Sequence, residues 1–178
     1  MNGNFSSTKK IVSCAVLSAL ALVSFMIESL FPPLFIPGAR IGVSNVFVLL
    51  SVIYSGAPFG LITLLTKILL GSVFSGNVSA MLYSLPSGLF SFAIELMLIK
   101  KADCVSIVAI SGLGGVCSLL IQNCVYCLIL GATEYLVYAP YLALIGFVAG
   151  LFVGFTVFLL SKALPVKFFR TENRAQDE

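Results

Sequence analysis

Runs of apolar residues long enough to cross a bilayer constrain this chain more than any other feature. The segments 11–31, 80–99, 105–130 and 139–164 each carry at most one acidic or basic residue. A helix needs about 20 mostly apolar residues to span the hydrocarbon of a membrane. Two shorter apolar runs, 43–55 and 59–74, lie between the first and second of these. Only 10% of the 178 residues are charged and 60% are hydrophobic, against roughly 25% charged in a soluble domain. Water cannot hold such a chain as a compact monomer, because too little polar surface exists to cover it. The sequence therefore predicts an all-α integral membrane protein, a bundle of about six transmembrane helices forming one domain over 11–164. Residues 1–10 form an N-terminal extension, and 165–178, polar and low in hydrophobicity, form a disordered tail.

Breaks between the segments are marked by turn residues. Pro32 and Pro33 stop the first run, Ser55-Gly56-Ala57-Pro58 separates the second from the third, and Ser75-Gly76-Asn77 ends the third. Lys100 to Asp103 is a polar break, and Gly131 to Tyr138 is expected to be a loop. The first run exceeds a typical signal-peptide core and is read as an uncleaved span. The second and third runs are short, so one is expected to be tilted or incomplete, or the preceding loop to dip into the membrane.

Lysine and arginine placement sets the expected orientation. With the N-terminus inside, the cytoplasmic side receives Lys9, Lys10, Lys100, Lys101, Lys162, Lys167, Arg170 and Arg174, and the outer side receives Arg40. Cytoplasmic loops carry an excess of such residues, so both termini are expected in the cytoplasm. Basic residues are few and sit at helix ends, which argues against a nucleic-acid partner.

Charges at hydrocarbon depth are costly and mark candidate functional positions. Glu28 lies about one turn from the outer end of the first span, and Lys67 lies near the middle of the third. Both are expected to face an outward-opening cavity and to contact a solute or each other; otherwise Glu28 snorkels to the interface and Lys67 pairs with an interior acceptor. Arg40, in the first outer loop, is a candidate lid residue or simply exposed. Glu134 reads as a solvated loop charge, and Glu95, one turn from Lys100, as an inner-surface residue that snorkels or pairs. Asn45, Asn77, Gln122 and Asn123 are polar amides in the outer half. A shared pocket would explain all four, and separate interhelical hydrogen bonds would explain each alone.

Stripes of small residues mark helix contact faces: Ala15, Ser18 and Ala19 in the first span; Ser84, Gly88 and Ser91 in the fourth; Gly146, Gly150 and Gly154 in the sixth. Five cysteines, including the pair Cys124 and Cys127, sit in or beside apolar segments and read as small packing residues. No GxxxxGK[ST] phosphate loop occurs, the aspartates are Asp103 and Asp177, and histidine is absent. No cofactor, metal or catalytic residue is expected on this basis, and transport is favoured over catalysis.

The stretches ESLFPPLFIPGARIGVSNVFVLL (28–50), KILLGSVFSG (67–76) and LYSLPSGLFS (82–91) resemble the bacterial Gx transporter family, also called heptaprenyl diphosphate synthase component I. That family is similar in turn to the S components of energy-coupling factor transporters. The resemblance implies a multi-pass protein of the bacterial cell membrane that binds a small solute from outside, docking on a transmembrane coupling protein and ATPase subunits. Ala15 and Ala19 match the docking motif of such proteins. Glu28, Arg40, Asn45, Lys67, Asn77, Gln122 and Asn123 are the expected solute contacts, in a pocket among spans one, three and five. The alternatives are a membrane accessory subunit in prenyl diphosphate or quinone metabolism, and an autonomous ion-coupled carrier.

Overall fold

A computed structural model describes residues 3–30, 42–76, 78–101, 106–131 and 133–163. It forms helices α1 (Gly3–Leu30), α2 (Asn45–Ser55), α3 (Ala57–Phe74), α4 (Ser79–Lys101), α5 (Ile107–Leu130) and α6 (Ala139–Ala163). Among the described residues there is no strand. The expected loop at 131–138 is instead largely a 3-10 helix, Thr133–Tyr138.

Among the described residues five helices are long and apolar enough to cross a membrane, and α2 is not. Its 11 residues reach about 16 Å at ~1.5 Å per residue, roughly half of a ~30 Å hydrocarbon core. The second segment thus resolves as the short one. Its role is central: Val46, Val48, Leu49, Leu50, Ser51, Tyr54 and Ser55 are buried. Val46, Leu49 and Leu50 pack with Val153 and Val157 of α6. Val48 packs with Leu64 and Ile68 of α3 and Phe92 of α4. A helix apolar nearly all round belongs in the middle of a bundle, and the neighbours supply the lipid-facing surface. Ile11, Val16, Leu20, Val23 and Ile27 of α1 are exposed, as are Phe147, Phe152 and Phe155 of α6.

Gly56 joins α2 to α3 at φ 99°, a conformation open to glycine and strained for other residues, and Pro58 opens α3 where its missing N–H is harmless. Ser106 caps α5 by accepting from the Ala109 N–H at 3.3 Å. Pro86 lies inside α4, where it withdraws one backbone donor beside Ser84, Ser87 and Gly88.

Two seams hold the bundle. Along α5 and α6, Gly115 meets Gly146, Ser111 meets Gly150 and Val108 meets Gly154, so the helices run antiparallel with backbones in contact. A Cβ added to Gly115 would lie 3.1 Å from the Gly150 Cα and closer still to the Gly146 carbonyl. The glycine stripe of α6 therefore serves the interior of the bundle. Between α1, α2 and α3 the contact is polar. Thr63 is fully buried, with its Oγ1 3.1 Å from both Ser18 and Ser51 Oγ and 3.0 Å from the Phe59 carbonyl. Ser18 thus faces inward, whereas Ala15 and Ala19, about 60° and 100° further round α1, are exposed.

Candidate functional site

Where α1 ends and α2 begins, a cavity partly open to the outside lies among five helices. Phe25 and Glu28 come from α1, Ser44 and Asn45 from the entry to α2, and Leu64, Lys67 and Ile68 from α3. Ser84, Ser87 and Gly88 come from α4, with Ser118, Leu119 and Gln122 from α5. This cavity borders spans one, three and five, where a solute pocket is expected, and also α2 and α4.

The shortness of α2 creates this space. Because the helix starts at Asn45, its first turn lies at the depth of Lys67, ten residues into α3. Lys67 is 5% exposed. Its Nζ donates to Ser44 Oγ at 3.3 Å and to Asn45 Oδ1. Glu28 Oε1 accepts from the Ser44 backbone N–H at 2.8 Å. One short turn, Ser44-Asn45, therefore links the carboxylate of α1 to the ammonium of α3. Gly88 lets α4 lie close against α3 here, since a Cβ there would press on the Ile68 side chain at 2.9 Å.

The structure brings Glu28, Asn45, Lys67 and Gln122 of the expected contacts together. Asn123 lies elsewhere. It is 4% exposed, its Nδ2 donates to the Tyr135 carbonyl at 3.1 Å, and its Oδ1 faces Cys127 Sγ at 3.9 Å. One position along a helix is a turn of about 100°, enough to send neighbouring amides to different partners. Asn123 anchors the 3-10 helix, which is held further by edge-to-face stacking of Tyr135 on Tyr126 and of Tyr126 on Tyr83. Arg40 and Asn77 lie outside the described residues. Glu134 is exposed, as a loop charge should be.

Glu95 departs from expectation. Its side chain is buried, 9% exposed, rather than extended to the inner surface. It packs against Gly114 of α5, whose missing side chain admits it, and lines a second cavity. A sequence signal existed: Ser84, Gly88, Ser91 and Glu95 follow at helical spacing on one face. Ser91 on that face donates to the Gly114 carbonyl at 2.9 Å.

Among the described residues no group of three His, Cys, Asp or Glu side chains stands close enough to hold a metal ion. The described cysteines, Cys14, Cys117, Cys124 and Cys127, are free.

Apolar helices closed around a polar cavity with an ammonium and a carboxylate in its wall define a multi-pass helical membrane protein. More particularly, the sequence pattern of heptaprenyl diphosphate synthase component I matches residues 17–160, and the chain belongs to that family. Neither a curated protein nor a solved structure matches it.

Proposed function

We propose that this chain is the substrate-binding membrane subunit of a small-solute uptake transporter, of the S-component type, and not a catalyst. The observation that carries the reading is the convergence of Lys67, Glu28, Asn45 and Gln122 on one cavity. Hydrocarbon tolerates an ammonium poorly, and here that group borders open space instead of lying sealed in packing. Lys67 attracts an anionic group of the solute, while Glu28, Asn45, Gln122 and the serine hydroxyls orient the remainder. By the positive-inside rule the cavity opens outward, because Lys9, Lys10, Lys101 and Lys162 lie toward the opposite ends of their helices. Release to the cytoplasm requires partner ATPases reached through a transmembrane coupling protein, since the sequence has no nucleotide-binding phosphate loop. The exposed Ala15 and Ala19 give α1 a close-approach surface for that protein. The membrane would be the bacterial cell membrane.

The test is gentle purification followed by mass spectrometry of bound small molecules and partner chains. A small anionic solute should co-purify with the wild type and be lost from Lys67→Ala with the fold retained. Solute retained at wild-type occupancy in Lys67→Ala would remove the assignment. The family's description supports a second reading, a membrane accessory subunit in prenyl diphosphate metabolism. It predicts a soluble prenyl synthase, not ATPases, among the partners. Solute uptake into vesicles by the lone chain would instead indicate an autonomous ion-coupled carrier.

A further inference from the structure

Glu95 is a buried acid that the solute contacts above leave unused. It lies six residues before the end of α4, about 9 Å along the axis, and well inside the bundle. The small cavity beside it is lined also by Asn45, Ser111, Gly115, Ser118 and Gly146. Each element around it contributes recognisable chemistry. Helix α5 presents the Ser111 and Ser118 hydroxyls, and α2 presents the Asn45 amide. Helix α6 presents Gly146, Ala149, Gly150 and Val153, none of which titrates. The Lys67 ammonium of α3 acts on Glu95 electrostatically and donates hydrogen bonds to Ser44 and Asn45. Among the described residues, no hydrogen bond or ion pair reaches the Glu95 carboxylate. A carboxyl so enclosed can keep a negative charge only with a compensating cation beside it.

We propose that Glu95, with the Ser111 and Ser118 hydroxyls, forms a subsite for a single positive charge, either a protonated amine of the solute or a small monovalent metal ion. One carboxylate balances one charge, and hydroxyl and amide oxygens are hard donors suited to such a group. The subsite adjoins the Lys67 cavity, because Gly42, Asn45, Ser118 and Leu119 line both. The two together form one polar path, with an anion-attracting end at Lys67 and a cation-attracting end at Glu95. Where the charge belongs to the solute, the inference deepens the transport reading and specifies a dipolar substrate. Where it belongs to a metal ion, it stands apart from that reading.

The experiment is thermal unfolding of the full chain in lipid nanodiscs, at fixed pH, in sodium, potassium, methylammonium or choline chloride. The wild type should show a saturable rise in midpoint with a small cation and none with bulky choline. A response to methylammonium alone assigns the charge to an amine, and a response to sodium or potassium assigns it to a metal ion. Glu95→Gln should abolish the rise and Lys67→Ala should keep it. Gly114→Ala pushes the carboxylate aside without removing it and should weaken the apparent affinity about tenfold, the loss usual when a ligand's support is disturbed. That variant decides the matter if Glu95→Gln does not fold. Equal midpoints in all four salts, or a rise unchanged in Glu95→Gln or Gly114→Ala, would overturn the proposal. Loss of solute from Lys67→Ala with the cation response intact leaves the two ends separately readable.

Discussion

The α5–α6 seam and the α1–α2–α3 interface close the same bundle by opposite means. Along α5 and α6, glycines bring backbone against backbone, with Gly115 on Gly146 and Gly150 on Ser111. Across α1, α2 and α3, hydroxyls meet hydroxyls, with Thr63 joining Ser18 to Ser51. Lipid tails are as apolar as leucine, so no hydrophobic drive pulls helices together within the bilayer, and close packing or hydrogen bonding must do so. The first seam is rigid because neither backbone can move aside. The second already satisfies polar groups in the interior, and Lys67 extends the same pattern one turn further along α3. The ionisable chemistry near the first cavity accordingly sits on the hydrogen-bonded side.

Four substitutions break or sharpen this contrast. Gly150→Val should have the largest effect, since its side chain would run into the Ser111 carbonyl and the Gly112 Cα. A loss of about 3 kcal/mol, the upper part of the usual overpacking range, should appear as a lower unfolding midpoint or as failure to recover monodisperse protein. Near-normal stability would show that the seam is not rigid. Next, Lys67→Met removes the buried charge while keeping an unbranched stem. Solute occupancy should fall about 100-fold, equivalent to ~2.7 kcal/mol, a larger change than the fall in solute-free stability, which reflects the lost bonds to Ser44 and Asn45. A matched fall in stability would assign Lys67 to architecture.

Thr63→Val keeps the shape and removes the hydroxyl at the centre of the three-helix interface. A loss of about 1 kcal/mol is expected, within the range of interhelical hydrogen bonds in membranes, and chemical unfolding in mild detergent would measure it. No loss would mean that packing alone holds that side too. Asn123→Leu should be mildest, at ~0.6 kcal/mol globally. Hydrogen exchange should rise over 133–138 and stay unchanged along α3. Exchange that spreads to Lys67 would tie the two regions together.

Much of the fold was legible in the sequence, because the number of apolar residues and the position of turn residues fix where helices start and stop. Segments 80–99, 105–130 and 139–164 lie within two residues of the helix ends at both termini. What each helix faces was less legible. Lys67, Glu28, Asn45 and Gln122 follow from the rule that polar groups in an apolar bundle seek one another. Asn123 looked equivalent to Gln122, but its partner is a backbone carbonyl brought there by the 3-10 helix, which no local pattern discloses. Glu95 was masked by its nearness to Lys100. Its inward direction depends on Gly114, 19 residues later in the chain, offering no side chain to oppose it.

The bond from Ser18 to Thr63 has a consequence for the outside of the molecule. It fixes the azimuth of α1, as a key fixes a shaft, so the Ala15 and Ala19 edge is held at one setting toward the surrounding lipid. A neighbouring helix that reads this edge meets a shape prepared beforehand and loses little rotational freedom in finding it. Freeing the key would leave the outward sequence intact and blur the angle at which it is offered.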